Sequence, residues 1–148
     1  MVSISLQDPV VQSYMVYSAI LAIKMFAVTF LTAKVRTSKK VFANEEDAKN
    51  YNGQVKLNDP DVERVRRAHL NDLENIPAFW VLGALYLTTG PSAFLATMLF
   101  RLFTAGRIAH TVFYAIFQSP ARGLGFASAF LINIYMGLQV ILYYISAL

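Results

Sequence analysis

The feature that most constrains the fold is an apolar stretch from Val10 to Ala33, which is broken only by a few small polar residues and by Lys24. It is longer than the roughly 20 residues that an α-helix needs to cross the hydrocarbon core of a bilayer. The 148-residue chain is 56% hydrophobic and 15% charged, and is therefore too apolar for an ordinary soluble domain of its length. The sequence predicts an integral membrane protein.

Three further stretches combine apolar composition with helix end signals. The second predicted helix follows Asp59, a good N-cap, and Pro60, which suits the first helical position, and it stops before Gly90-Pro91. We therefore predict an all-α integral membrane fold, a four-transmembrane-helix bundle formed by a single domain over residues 1–148. The predicted helices cover about 10–36, 60–88, 92–117 and 121–145, and a polar loop with room for a short helix covers about 37–59.

The basic residues predict the orientation of this bundle. Nine lysines and arginines lie between Lys34 and Arg67, and Arg122 lies between the last two helices, whereas the termini and the Thr88–Ser92 turn carry none. The positive-inside rule places the two basic connections in the cytosol and the termini on the other side of the membrane. The net charge of +4 does not indicate nucleic-acid binding, because the positive charge lies beside hydrophobic spans.

A polar face marks the charged first half of the second helix. Arg67, Asn71 and Glu74 are spaced i, i+4 and i+7, which places them on one side of a helix with 3.6 residues per turn. The face presents a guanidinium, an amide and a carboxylate where the helix enters the membrane. These groups are candidates for binding a charged ligand.

The third helix carries a second polar stripe at the same kind of spacing, formed by Arg107, His110, Thr111 and Tyr114. If the two stripes face each other, they form a polar pocket in a hydrophobic wall. Arginines outnumber carboxylates at these positions, and a guanidinium matches a carboxylate bidentately, so the pocket suits an anionic ligand. The alternative is an internal ion-pair network, for instance Glu74 with Arg101 or Arg107, that only fixes helix register.

Other chemistries find little support in the sequence. The chain has no cysteine, so any thiol in a reaction would have to come from a ligand. His69 and His110 lie on different helices and make a poor zinc site, so no metal is predicted. Asp72 and Glu74 point to different helix faces and do not form an acid–base pair. Lys24 either faces other helices or a wet cavity, or snorkels to the membrane surface.

Three motifs together resemble one known family. They are Glu63–Asn75 (ERVRRAHLNDLEN), Lys40–Asn44 (KVFAN) with Asp47 after it, and Gly106–Thr111 (GRIAHT) with Tyr114 after it. In this order, and with four predicted helices, the chain resembles the MAPEG family, the membrane-associated proteins of eicosanoid and glutathione metabolism. The resemblance extends over nearly the whole chain, and the motif on the second helix is long and specific.

The resemblance implies a homotrimer in the endoplasmic reticulum membrane, with glutathione as the cofactor bound between neighbouring subunits near the cytosolic face. The positions that match glutathione-contacting positions of the family are Arg36, Arg67, Asn71, Glu74, His110, Tyr114 and Arg122. By the same resemblance, Arg122 stabilises the glutathione thiolate as the principal catalytic residue, and Tyr114 is the next candidate for that role.

Four positions separate the two enzymatic branches of the family. The prostaglandin E synthase branch has arginine where Leu70 stands, leucine where Arg101 stands, and tyrosine where Phe126 stands. It also has a serine, proposed there as a thiol activator, where Gly123 follows Arg122. These departures make the chain look most like the microsomal glutathione transferase branch.

The resemblance therefore implies a membrane glutathione transferase with glutathione peroxidase activity, which acts on lipophilic electrophiles and lipid hydroperoxides in detoxification. Two alternatives stay open: a glutathione-dependent prostaglandin E synthase, which is an isomerase, and a non-catalytic lipid-presenting protein. The lipid-presenting branch lacks the glutathione-binding set that this chain carries. The sequence does not indicate a mitochondrial outer membrane pool or exclude one.

Overall fold

The computed structural model describes residues 5–146, and this part of the chain is predominantly helical. The helices are α1 (Pro9–Lys39), α2 (Glu45–Asn50), α3 (Pro60–Leu87), α4 (Ala93–Thr111) and α5 (Arg122–Ile145), and a π-helical turn (Val112–Ile116) follows α4 directly. Two short strands, β1 (Val41–Phe42) and β2 (Gln54–Val55), pair in parallel within the α1–α3 connection.

Side-chain caps set the starts of the long helices. The Asp8 carboxylate accepts a hydrogen bond from the Val10 N–H at 2.8 Å, and Asp59 accepts from the N–H groups at the start of α3. A proline occupies the first position of both helices, where its missing N–H costs no hydrogen bond. Ser92 caps α4 through Leu95 N–H at 3.3 Å. Asp59 and Pro60 are the start signals that the sequence analysis used for the second helix, whereas the caps at Asp8 and Ser92 are seen only in the structure.

The long helices pack around an aromatic core. Phe79 of α3 stacks on Phe103 of α4, with ring centroids 4.2 Å apart, and meets Phe100 edge-on at 5.7 Å. All three rings are fully buried, as is Met136 of α5. α1 packs against α3 and α4, and α5 packs against the same two helices from the other side.

The outer surface is strongly apolar. Phe26, Phe30, Phe94 and Leu124 are each more than 70% exposed, which water would not favour and lipid would. Within residues 5–146, α1 and α5 are long and apolar enough to cross a membrane. α3 does not meet this criterion because its first half is charged, and α4 does not because two arginines and a histidine lower its hydropathy.

The junction between α4 and α5 differs from the continuous helix expected over 92–117. The α-helical hydrogen bonds stop at Thr111, and a wider π turn carries the chain to Ile116. Gln118 then adopts a left-handed conformation (φ 54°), and Ser119 N–H donates to Phe113 O at 2.8 Å, which closes the helix end. Pro120 follows, and α5 begins at Arg122.

α4 and α5 approach very closely near this junction. A Cβ atom on Gly125 would lie 2.7 Å from the Gly106 carbonyl oxygen and 2.9 Å from the His110 backbone nitrogen, so only glycine fits there. The contact places the first turn of α5, and with it Arg122, beside the last turns of α4. We call this end of the bundle, where α1 ends and α3 begins, the basic end.

Candidate functional site

Six of the seven side chains with a predicted ligand role line one cleft of about 340 Å³. The cleft lies at the basic end, where the first half of α3 faces the end of α4, the π turn and the start of α5. Its lining residues are Arg67, Leu70, Asn71, Glu74, His110, Tyr114 and Arg122. The helical spacing that suggested two facing polar stripes thus leads to a single concave surface.

Tyr114 connects the two arginines of the cleft. The Arg67 Nε–H donates to the Tyr114 hydroxyl oxygen at 3.0 Å, and the Arg122 guanidinium carbon lies 4.7 Å from the centroid of the Tyr114 ring. A cation above a tyrosine ring is attracted by the ring quadrupole. Tyr114 therefore contacts both guanidinium groups, Arg67 through its hydroxyl and Arg122 through its ring, and holds these two positive charges at the cleft.

His110 is fixed by the backbone of α5. Its Nδ1 lies 3.0 Å from the Arg122 carbonyl oxygen, and because that oxygen can only accept, Nδ1 carries the proton. In the neutral ring Nε2 is then an acceptor, and it is buried without a partner in the described part of the chain. His110 thus anchors the residue that bears the guanidinium, and its buried Nε2 atom keeps an acceptor that no group in the described residues uses.

Glu74 is the only carboxylate in the lining of the cleft. Its side chain is exposed, and among residues 5–146 it forms no ion pair. The alternative in which Glu74 pairs with Arg101 or Arg107 is therefore wrong for this structure. Arg101 instead donates from Nε to the Tyr17 hydroxyl at 3.1 Å. Glu74 is available to a cationic group of a ligand.

Arg107 lies behind the cleft and not in it. It is fully buried, and its Nη2 and Nε lie 2.6 Å and 3.2 Å from the Asp72 Oδ1 atom. Lys24 of α1 binds the other oxygen of Asp72. The predicted stripe gave Arg107 a ligand-facing place, but the structure makes it part of an ion-pair network between three helices. Thr111 is also buried and does not line the cleft.

Sequence reasoning missed the role of Asp72. In the sequence, Asp72 counts among the few carboxylates near the arginines and is rejected as an acid–base partner of Glu74, but it is assigned no ion pair. A signal was present, because Lys24, Asp72 and Arg107 are three charges in otherwise apolar surroundings, and such charges need each other or a ligand. Periodicity within one helix does not say which charge on another helix is the partner.

Arg36 is the one predicted ligand residue outside this cleft. It lines a separate cavity of about 470 Å³ between α1 and α3, together with Arg66, His69 and Leu70 among others. Its Nη1 atom is buried and has no hydrogen-bond partner within residues 5–146. A single chain therefore does not bring Arg36 to the other six residues.

No cluster of three or more histidine, cysteine, aspartate or glutamate side chains suited to a metal ion occurs in the described residues. The groups that converge on the cleft are guanidinium, amide, carboxylate, imidazole and phenol. These are groups that bind an organic zwitterion through hydrogen bonds and charge.

The fold is a helical bundle in which two helices are long and apolar enough to cross a membrane, with a polar cleft at one end. A sequence model of the MAPEG family matches residues 14–142, and the chain belongs to this family. Prostaglandin E synthase of Bos taurus is 45% identical over 134 residues, which is 89% of this chain and 88% of the relative. The Homo sapiens prostaglandin E synthase is 42% identical, over 94% and 93% of the two chains. Microsomal glutathione S-transferase 1 of Sus scrofa is 39% identical, over 92% of each.

Proposed function

We propose that this protein is a membrane glutathione transferase with glutathione peroxidase activity. The observation that carries the proposal is the convergence of six residues, spread over more than 50 positions of the chain, on one cleft. The similarity to a microsomal glutathione S-transferase and to prostaglandin E synthases supports the same choice of cofactor.

The charges of the cleft complement those of glutathione. The tripeptide has two carboxylates, one ammonium group, two amides and a thiol. Arg67 suits a carboxylate, Glu74 suits the ammonium, and Asn71 suits an amide or carboxylate oxygen. A guanidinium–carboxylate contact is charge-assisted and often bidentate, so it gives both strength and orientation to the binding of a small ligand.

Arg122 is the proposed thiolate-stabilising residue. Its guanidinium is held over the Tyr114 ring, and its carbonyl is held by His110, so the charge is fixed before glutathione binds. A nearby cation favours the ionised thiol and raises the fraction of nucleophile at neutral pH. The chain has no cysteine, so glutathione supplies the only thiol.

Two reactions follow from that thiolate. With a lipophilic electrophile, the sulfur forms a bond to carbon while the leaving group departs with its electron pair. With a lipid hydroperoxide, the sulfur attacks the terminal oxygen, the O–O bond breaks, and the alkoxide takes a proton to become the alcohol. The resulting glutathione sulfenic acid condenses with a second glutathione to give the disulfide and water. Both substrates reach the site through the apolar surroundings of the bundle.

We further propose a homotrimer of four-transmembrane-helix subunits in the endoplasmic reticulum membrane, with the basic end toward the cytosol. Arg36 lies in a different cavity from the other six residues, which is the arrangement expected if it completes the site of a neighbouring subunit. The apolar outer face and the basic α1–α3 connection support the membrane orientation.

A prostaglandin E synthase is the second candidate function, and one observation favours it. The prostaglandin E synthase of Bos taurus is 45% identical to this chain, against 39% for the Sus scrofa transferase. The glycine at position 123 favours the transferase, because the synthase branch has a serine there. A Cβ atom at this position would meet no heavy atom of the described chain within 4 Å, so the glycine is not required by packing. A lipid-presenting protein would have no use for the cleft residues.

The test is the ultraviolet difference spectrum of the purified, detergent-solubilised protein on addition of glutathione. We expect a thiolate band near neutral pH in the wild type, its loss in Arg122→Ala, and its retention in the matched control Arg64→Ala, whose guanidinium pairs with Asp61 away from the cleft. A band that survives Arg122→Ala moves the thiolate role to another residue. Absence of both the band and glutathione binding in the wild type refutes the glutathione function.

Product analysis separates the two enzymes. The same preparation receives glutathione with a lipophilic electrophile, a lipid hydroperoxide or a prostaglandin endoperoxide. A conjugate and a reduced alcohol support the transferase and peroxidase. Prostaglandin E as the only product would identify the synthase.

A further inference from the structure

The buried network behind the cleft has one contact with the ligand-binding surface. Lys24, Asp72 and Arg107 are almost completely buried, with side-chain exposures of 10%, 0% and 0%. From this group, Arg107 Nη2 reaches forward to the Asn71 Oδ1 atom at 2.8 Å. Asn71 lines the cleft, so it is the link between the ion pairs and the site.

The chemistry of this contact fixes which way the Asn71 amide faces. A guanidinium has only donors, so the amide atom that it touches must be the oxygen. The Nδ2 group, at the other end of the amide, is then turned away from Arg107. It has no protein acceptor within residues 5–146, although Asn75 Nδ2 holds the Asn71 backbone oxygen at 2.9 Å. Asn71 therefore presents two N–H donors to the cleft and no acceptor.

Each member of the network fixes the next. Lys24 on α1 occupies one oxygen of Asp72, and the Arg107 fork occupies the other through two nitrogens. The carboxylate therefore has little freedom to rotate, and the plane of the guanidinium follows from it. A lysine at position 107 keeps the charge but lacks the fork that reaches Asp72 and Asn71 together.

We propose that Lys24, Asp72 and Arg107 are positioning residues that make Asn71 an obligate hydrogen-bond donor to a carbonyl or carboxylate oxygen of glutathione. This inference rests on the proposed function. It goes further in assigning the polarity of one ligand contact and the buried groups that enforce it. Burial of three charged groups carries a large desolvation cost, and the mutual ion pairs and hydrogen bonds of the network offset it.

The test is the glutathione dissociation constant of the full-length, detergent-solubilised protein, measured by equilibrium binding. We expect Asn71→Ala to weaken binding about tenfold, and Asn71→Asp to weaken it further, to about a hundredfold. Asp at this position keeps an oxygen for Arg107 but presents a second acceptor to the ligand. If Asn71 instead accepts a bond from the glutathione ammonium, Asn71→Asp tightens binding, and the proposal is overturned.

A double-mutant cycle tests the network itself. We expect Arg107→Lys to weaken binding about tenfold in the wild type but less than about twofold in the Asn71→Ala background, because the amide it orients is gone. An equal loss in both backgrounds overturns the positioning role. Melting temperatures of all variants show whether a loss of binding comes from unfolding. We expect Asn71→Asp to stay folded, because its added carboxylate lies beside a buried network in which two cations share one carboxylate. Failure of the wild type to bind glutathione would refute the proposed function itself, a result separate from either outcome of the cycle.

Discussion

Tyr114 is the side chain on which the local geometry of the cleft depends most directly. Its hydroxyl accepts from Arg67 on α3, and its ring carries the Arg122 guanidinium from α5. The hydroxyl and the ring therefore have separable tasks. The first orients a proposed carboxylate-binding arginine, and the second holds the proposed thiolate-stabilising arginine.

Two substitutions separate these tasks. We expect Tyr114→Phe to weaken glutathione binding a few-fold, since one hydrogen bond to a charged group is lost, while the thiolate band at saturating glutathione remains. We expect Tyr114→Leu to diminish the band as well, because the cation–π contact contributes about 1 kcal/mol to holding Arg122 in place. The measurement is the difference spectrum over a glutathione titration. Loss of the band in Tyr114→Phe would assign the thiolate to the tyrosine hydroxyl.

At the scale of single residues, the sequence predicted which side chains share a helix face, but not which charged side chains on different helices form ion pairs. Helical periodicity placed Arg67, Asn71 and Glu74 together, because residues three and four apart must share a side of a helix. It could not identify the role of Asp72, because the ion-pair partners of Asp72 are Lys24 and Arg107 on two other helices. Such pairings depend on helix rotation and crossing, which single-helix patterns do not encode.

Ion pairs join the end of α1 to the start of α3. Lys39 at the end of α1 binds both Asp59 and Asp61 at the start of α3, and Asp59 also caps α3. Burial acts to raise the pKa of Asp59, but hydrogen bonds from Lys39, Val62 N–H and Asp61 N–H outweigh it, and the pKa lies below its ordinary value of 3.8. The ionised carboxylate is therefore the form that the fold favours.

The sign of the pH dependence follows from that depressed pKa. Asp59 contributes stability at a pH above its unfolded pKa, and this contribution is lost as the pH falls through the lower, folded pKa. We expect the melting temperature of the wild type to drop below about pH 4, and to drop less in Asp59→Ala. At neutral pH we expect Asp59→Asn to melt between the wild type and Asp59→Ala, because asparagine keeps the cap and loses the charge. Equal acid sensitivity of the wild type and Asp59→Ala would assign the effect to other carboxylates.

Among the elements, helix starts were predictable and the end of α4 was not. Asp59-Pro60 and Ser92 are caps that act within four residues, so the sequence contains the whole signal. The π turn at Val112–Ile116 has no comparable local signal. It lies between the close Gly106–Gly125 crossing and Pro120, and its wider hydrogen-bond pattern interrupts the α-helical periodicity after Thr111. Of the predicted stripe, His110 and Tyr114 line the cleft, whereas Arg107 and Thr111 are buried behind it.

In the single chain, the seven proposed ligand residues are divided between two cavities. Six proposed ligand residues share a cleft, and Arg36 lies in a cavity on the α1–α3 side, with a buried guanidinium nitrogen that has no acceptor in the described residues. A closed ring of identical subunits brings one face of each chain against a different face of the next. Our proposal is that in such a ring Arg36 of one chain completes the cleft of its neighbour.

Mixed assemblies test whether the site is shared. We expect Arg36→Ala and Arg122→Ala to be nearly inactive when each is purified alone. If Arg36 serves the neighbouring cleft, co-expression of the two variants restores sites in which an Arg36→Ala chain supplies Arg122 and an Arg122→Ala chain supplies Arg36. With equal amounts and random mixing in a ring, each requirement is met about half the time, so about a quarter of the sites recover.

The control is the same co-expression with Arg67→Ala and Arg122→Ala, two residues that line one cleft of one chain. That pair recovers no site under random mixing, because every cleft lacks one of the two arginines. Recovery of about a quarter of wild-type conjugation by the Arg36 and Arg122 pair, with none in the control, supports a site built from two subunits. If neither pair recovers while the mixed oligomers are intact, Arg36 acts within its own chain, and the 470 Å³ cavity that it lines is a separate feature of the monomer.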